Sequence, residues 1–334
     1  FLSISVLLIY FVFSMNASTQ IGLTSIPQTA SSGYVIDVGG VTEHQNGILL
    51  NPVIYGSIDI GGINVTSAGS YDFCLVKYAS VALNNTMQWV KCFGRNNTDH
   101  PVSVDKDSND NIIVGGYFDV RTNYGGSDLV SAGIGTDGFI LKLNSTGDHV
   151  WSFRVGGSKT DQVSYVAVDT QNNLLLTGYF DCTSGDVSLG GPNVTCRGQT
   201  DLMIAKYDSN GQFIWQTTVA GPSFEYSQQV TTDYADNVIA VGWVTSSWWI
   251  VNGTANVTGS TNCLVLKYNS NGQLLWYSKQ NYTCYSVSED STGNVFVSGD
   301  ASNNVLLLKF AANGTLLWKT VFGNGNQYGS RISV

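Results

Sequence analysis

One interval recurs along the chain and limits its folds more than any other feature. A lysine is followed nine residues later by a tryptophan at Lys142 to Trp151, Lys206 to Trp215, Lys267 to Trp276 and Lys309 to Trp318, with a glycine and a hydrophobic residue ahead of each tryptophan. A further copy, Lys77 to Trp89, is three residues longer, an excess that a hairpin loop absorbs because loop length costs little free energy. Self-similarity at periods of about sixty residues is the mark of an array of equivalent supersecondary units. Within each interval lies a turn, Asn144-Ser-Thr-Gly147, Asp208-Ser-Asn-Gly211, Asn269-Ser-Asn-Gly272 or Ala311-Ala-Asn-Gly314, which puts glycine at a positive-φ position and predicts a β-hairpin.

A second recurrent pair precedes each hairpin. Asp169-x3-Asn173, Asp233-x3-Asn237 and Asp290-x3-Asn294 each open a strand ending in glycine (Gly178, Gly242, Gly299), and the second repeat keeps Asn111 and Gly116 with what reads as a longer turn. Four strands per repeat follow. The strand before each lysine is apolar on both faces: Cys74, Phe139, Met203, Leu264 and Leu306 point one way, and Leu75, Ile140, Ile204, Val265 and Leu307 the other. A half-solvated sheet would alternate, whereas propeller blades are covered on both sides by their neighbours. The fold class expected is therefore all-β, a β-propeller of four-stranded antiparallel blades, with a β-sandwich as the weaker alternative. Five full repeats are visible, over about 41–94, 95–157, 158–221, 222–281 and 282–323, and 324–334 reads as the start of an incomplete further blade. Tyr34-Val-Ile-Asp-Val-Gly39-Gly40 has the spacing of the strand from Trp151 to Gly157, which predicts an outer strand without a blade of its own.

The repeats combine an Asp/Asn turn, a Gly-Gly loop (Gly61-Gly62, Gly125-Gly126, Gly190-Gly191), an Asp before the Lys strand (Asp72, Asp137, Asp201) and the Asn-Gly turn before Trp. In these segments the sequence resembles the β-propeller repeat family abbreviated SBBP, over about residues 34–334. The first repeat departs most, with Asn51-Pro52 in place of the Asp-x3-Asn turn. The resemblance implies a propeller of an extracellular or surface protein and carries over no active-site residue.

Charge narrows the partners. Only 12% of residues are charged and the net charge is −9, which argues against nucleic acid and anionic membranes. Residues 1–13 form an apolar run of signal-peptide length, with cleavage expected near Ala17, a linker over 18–33 and no membrane insertion afterwards. Sequons at Asn64, Asn84, Asn96, Asn144, Asn193, Asn252, Asn256, Asn281 and Asn313 predict a glycosylated surface, and six cysteines suit an oxidising compartment. The pairs expected are Cys74 with Cys92, which sit at matched distances from Lys77 and Trp89, Cys182 with Cys196 stapling a loop, and Cys263 with Cys284 tying the last strands of the fourth blade. A secreted or cell-surface location follows.

Three groups invite functional readings. Asp105, Asp107 and Asn109 space oxygen ligands at alternate positions, as calcium loops do, though without the glycine and distal glutamate of an EF-hand; the competing reading is a solvated Asx-rich turn. Calcium is the one cofactor suggested. Trp248 and Trp249, near Asn252 and Asn256, would make an aromatic platform for a sugar or protein partner, or would pack over a blade edge. The five lysines, found in every repeat, read as structural partners of a carboxylate or carbonyl. The histidines, His44, His100 and His149, fall in no HExxH pattern, and there is no Gly-x-Ser-x-Gly, so no zinc protease or hydrolase elbow is signalled. The Asp208 turn with Trp215 is similar to sialidase Asp-boxes and quinoprotein docking motifs, but the five arginines are scattered and no cysteines are adjacent. The sequence thus points to a non-enzymatic structural or adhesive module presenting loops or one face to a protein or glycan partner at the cell surface or in the matrix, with self-assembly as a further partner mode. A lectin-like propeller is the alternative, and a glycosidase or quinoprotein the least supported.

Overall fold

The computed structural model describes residues 34–44, 47–79, 86–183, 187–194, 196–245, 247–250, 255–257, 259, 261–323 and 332. The leader and linker, the sequons at Asn84 and Asn252, and nearly all of 324–334 lie outside the described residues, as do the side chains of Trp248, Trp249 and Asn256. The chain divides into two compact units, Phe1–Ser131 with Phe139–Arg154, and Ala132–Gly138 with Val155–Val334.

The strands follow the repeats. Blade one contains β1 (Tyr34–His44), β2 (Gly47–Tyr55), the small hairpin β3 (Ser57–Ile60) and β4 (Ile63–Thr66), then β5 (Asp72–Ala79) and β6 (Met87–Phe93). Blade two contains β7 (Asp99–Lys106), β8 (Ile112–Asp119), β9 (Arg121–Thr122), β10 (Leu129–Val130), β11 (Thr136–Leu143) and β12 (His149–Val155). Blade three is β13 (Asp161–Val168), β14 (Leu174–Asp181), β15 (Thr200–Tyr207) and β16 (Phe213–Ala220). Blade four has β17 (Glu225–Thr232), β18 (Val238–Val244), the hairpin β19 (Trp248–Ile250) and β20 (Ala255–Val257), β21 (Thr261–Tyr268) and β22 (Leu274–Gln280). Blade five is β23 (Thr283–Glu289), β24 (Val295–Asp300), β25 (Val305–Phe310) and β26 (Leu316–Phe322). Each blade runs first strand to fourth in antiparallel order, as in β1-β2-β5-β6 and β23-β24-β25-β26. The fold class is a β-propeller built of four-stranded antiparallel blades.

Side-chain parity explains why the strand before each lysine is apolar on both faces. On β21, Leu264 and Leu266 enter a cluster with Leu202, Ile204 and Val219 of blade three, while Cys263 and Val265 enter another with Val287, Val297 and Leu306 of blade five. Strand β18 divides the same way, Val238 and Ala240 to one side, Ile239 and Val241 to the other. Each buried Leu or Val contributes on the order of 1.5–3 kcal/mol, so a polar residue on either face would unstack a blade from one neighbour. In the other unit, Phe73 and Leu75 of blade one pack with Val114, Phe118 and Phe139 of blade two.

Three expectations change. The Tyr34 segment is no orphan outer strand: β1 is the first strand of blade one and pairs with β2 from Tyr34↔Tyr55 to His44↔Gly47. Gly39-Gly40 does not end it, because a register shift between Val38 and Val41 absorbs the glycines and the Gly40 N–H donates to the buried Asn51 Oδ1. Asn51-Pro52 consequently lies inside β2, with Pro52 opposite Val38. The second blade's turn is not longer either: Asp107 to Asn111 has the same four-residue separation as Asp169 to Asn173 and the same closing bond, Asp107 N–H to Asn111 O at 3.0 Å.

Candidate functional site

The repeated polar residues come together inside the blades. Asp107, Asp169, Asp233 and Asp290 each use Oδ1 to accept the N–H groups two and four residues on, closing the first hairpin turn. Oδ2 accepts the Asn amide, at 2.7–2.9 Å, and the lysine of the third strand. The ion pairs are Lys142–Asp107 at 2.9 Å, Lys206–Asp169 at 2.8 Å, Lys267–Asp233 at 2.9 Å and Lys309–Asp290 at 3.4 Å. Burial would raise the Asp107 and Asp233 carboxyls, but the bonds from lysine and asparagine outweigh it and hold both below the ordinary range. The Asp-x3-Asn and Lys motifs are thus one buried latch across three strands.

This assignment replaces the calcium reading. Both oxygens of Asp107 are saturated by Lys142 and the Asn109 and Asn111 groups, Asp105 sits in β7 with its carboxylate accepting the Lys106 N–H, and Asn109 is exposed at the turn. A cation would have to displace a buried ammonium. Lys77 differs from its four counterparts. It is fully buried, and among the described residues its Nζ has no hydrogen-bond partner. Burial lowers its amine from 10.5 to about 8.

A second set of carboxylates caps the loops that enter the third strand of a blade, at Asp72 and Asp201, and the links from one blade to the next, at Asp161 and Glu225. Asp72 accepts the N–H groups of Ala68 and Gly69, Asp161 accepts that of Gly157 at 2.7 Å, Asp201 that of Arg197 at 2.9 Å, and Glu225 that of Gly221 at 3.0 Å. Burial pushes Asp72 and Asp201 up to about 6; burial, with the neighbouring Asp137 charge, pushes Asp161 up to about 7. Near-neutral carboxyls often mark catalytic acids. Here their recurrence at each corner, bonded to backbone, assigns them to structure.

The tryptophans latch one blade to the next. Trp215 donates from Nε1 to Ser270 O at 3.0 Å, and Trp276 to Ala312 O at 2.9 Å, each seated on the following blade's turn. Gly272 and Gly314 serve twice there: they hold φ near +80° and +85°, and a Cβ on either would lie 2.7 Å from the indole.

Two of the three expected cysteine pairs are bonded. Cys74 and Cys92 face each other across β5 and β6, and Cys263 is joined to Cys284. The second bond ties the third strand of blade four to the first strand of blade five, a staple between blades where one within blade four was expected. Cys182 and Cys196 are free thiols beside Asp201, so the loop staple is not formed in this structure.

What faces outward is the candidate interface. In blade four, the strand carrying Trp248 and Trp249 pairs with the outer strand of blade three through Val219↔Ile250 and Ala220↔Trp249. The tryptophan pair is therefore set by its backbone on the edge of blade three. Val150, Ile214, Leu275 and Leu317, each just before the repeat tryptophan, are exposed by 44–51%, with Tyr277, Trp318 and Phe322 also at the surface. Among the sequons, Asn64, Asn96, Asn193, Asn281 and Asn313 are exposed, whereas the Asn144 side chain accepts from Thr146 and Asp148 within its turn.

No protein-family model matches the chain. It is 26% identical over 246 residues to the uncharacterized WD repeat-containing protein L264 of Acanthamoeba polyphaga mimivirus, a match covering 63% of this chain and 18% of that protein. The chain thus spans under a fifth of that relative's length. Similar solved structures include the RRP9 WD40 repeats (11% identity, TM-score 0.41, 92% of this chain and 89% of that one) and BamB from Moraxella catarrhalis (14%, 0.37, 90% and 92%). A PL25 ulvan lyase is similar at 9% identity and a TM-score of 0.44, over 85% and 69% of the two chains.

Sequence reasoning missed the outer-edge surface. The signal was present, since a hydrophobic residue precedes each of these tryptophans, but strand parity near the bulged register cannot be assigned without the partner strand. In the ladders that carry Trp215, Trp276 and Trp318 a register shift falls beside the lysine opposite the tryptophan.

Proposed function

We propose that the chain is a non-enzymatic protein-interaction propeller of the cell exterior, which takes extended partner segments on the open edges of its outer strands. One observation carries this reading: β16 already accepts β19 as a fifth strand, so the outer edge of a blade in this fold is competent for strand addition. Strands β22 and β26 end their sheets in the same way and alternate or expose apolar residues, Leu275 and Tyr277 in one, Leu317 and Phe322 in the other. Main-chain hydrogen bonds would supply affinity and these residues the side-chain pockets. Two cystines and five exposed sequons support an extracellular, structural or adhesive setting.

The test is selection of a displayed peptide library on the purified chain. Enriched peptides should alternate apolar residues and lose at least about tenfold in affinity, about 1.4 kcal/mol, on the L275D/L317D variant. Peptides that bind this variant equally, or turnover of a glycan substrate by the wild type, would contradict the reading.

A further inference from the structure

We propose that Cys182, Cys196 and Asp201 form a binding site for a thiophilic divalent cation, zinc above all, at the corner of blade three. One ligand atom from each residue lies within 4.8 Å of the others, and Cys182 Sγ is already 3.1 Å from Asp201 Oδ2. Tetrahedral zinc, with sulfur at about 2.3 Å and oxygen at about 2.0–2.2 Å, sets its ligands about 3.5–3.8 Å apart, so modest side-chain rotation closes the set. Two backbone bonds hold the frame: Cys182 N–H donates to Gln199 O at 2.7 Å, and Arg197 N–H to Asp201 Oδ2 at 2.9 Å. The sulfurs are partly exposed, which leaves a route for an ion, while Asp201 is fully buried behind them.

Comparison among blades separates what the fold needs from what is added. The carboxylate recurs, since Asp72 holds the same corner in blade one. The cysteines do not recur. Where β14 is followed by Cys182, β2 is followed by Gly56 and β8 by Val120; where Cys196 lies five residues before Asp201, Ser67 lies five before Asp72 and Ala132 five before Asp137. Those corners carry a backbone bond, Ser67 N–H to Gly56 O at 3.0 Å and Ser131 N–H to Val120 O at 2.9 Å, and in blade one the Ser67 hydroxyl adds a bond from the Gly56 N–H at 2.9 Å. Two thiols have thus been placed on either side of a buried carboxylate that did not require them.

A disulfide is the competing use of the pair. It would join the sulfurs but leave the buried Asp201 carboxylate out of the bond. A cation engages all three groups. Binding needs no oxidant: both thiols ionise, their two protons pass to solvent, and water fills the fourth position. Metal-bound thiolates are withheld from exchange, which lets the pair persist in a chain that holds two cystines. Because both thiols must lose their protons to bind, affinity should fall as pH is lowered.

The experiment uses the full chain, reduced with a phosphine and freed of metal, and titrates it with cobalt(II) and then zinc(II). The expected result is one cobalt per chain with a thiolate-to-cobalt charge-transfer band, bleached by zinc with release of two protons. Variants C182S and C196S should lose the band and weaken zinc by more than the roughly 100-fold that outer-shell partners are worth. Because Asp201 also holds the Arg197 corner, D201N is paired with the double variant C182G/C196S, which copies the residues of blade one and keeps the fold. It should unfold like the metal-free wild type and show no added stability with zinc. Equal cobalt affinity in C182S, absence of the band in folded, reduced wild type, or isolation of a metal-free chain lacking the mass of two hydrogens at Cys182–Cys196 would each overturn the site.

Discussion

Replacing Lys77 by methionine should stabilise the protein, while the same change at Lys206 should do the opposite. The two lysines occupy one repeat position and differ in their surroundings. Lys206 meets Asp169 at 2.8 Å, whereas Lys77 is fully buried with no hydrogen-bond partner for Nζ among the described residues. The fall of the Lys77 amine from 10.5 to about 8 corresponds to about 3 kcal/mol against its charged form, caused first by burial. Below pH 8 the amine is protonated in both folded and unfolded chains, and the penalty is fully present. Between about 8 and 10.5 the unfolded chain holds the proton and the folded one releases it, so stability rises with pH across that window. Methionine keeps the length of the stem and removes the charge, so K77M should gain up to about 3 kcal/mol at pH 7 and show a flatter pH dependence from 8 to 10.5. K206M leaves Asp169 buried without its partner and should lose about 3–5 kcal/mol. Urea unfolding followed by tryptophan fluorescence at pH 7, 9 and 10.5 measures all three proteins. If K77M is less stable than wild type at pH 7 with an unchanged slope above pH 8, the amine is satisfied and the reasoning fails.

Three further outcomes follow from the same structure. Asp169→Ala should cost about 3–5 kcal/mol in urea unfolding, since it leaves the Lys206 ammonium buried and opens the first turn of blade three. Gly314→Ala should cost about 1–3 kcal/mol, because φ near +85° strains an L residue and its Cβ would strike Trp276; a melting curve matching wild type would contradict this. Asp72, Asp161 and Asp201, raised to about 6, 7 and 6, bind protons in the folded chain before the unfolded one does, so thermal stability should rise as pH falls from 7.5 toward 5. Below about pH 4 the depressed Asp107, Asp233 and Asp290 reverse the trend, and calorimetry showing a monotonic loss from pH 7.5 downward would refute the assignment.

Much of the fold was legible in local sequence. The Asn/Asp-x2-Gly turns, the Asp-x3-Asn turns and the doubly apolar strands each rest on interactions within a dozen residues: a positive φ at Gly211, an Asx cap at Asp169, side-chain alternation on β21. Such features need no knowledge of what packs where. The Cys74–Cys92 pairing was legible for the same reason, because the hairpin that joins its strands lies between them in the chain.

What only the tertiary structure decided are the long-range choices. Tyr34 resembles an outer strand by spacing, but β1 pairs inward with β2 because a bulge at Gly39-Gly40 lets eleven residues run on as one strand. Lys77 looks like its four counterparts, but among the described residues its Nζ has no hydrogen-bond partner. Trp248 and Trp249 sit in one blade by sequence and on the edge of another by hydrogen bonding. The repeat lysine and tryptophan that first distinguished the chain proved to be latches, one within a blade and one between blades. The surface available to a partner lies in the hydrophobic residue beside that tryptophan, exposed by a register shift that no single strand reveals.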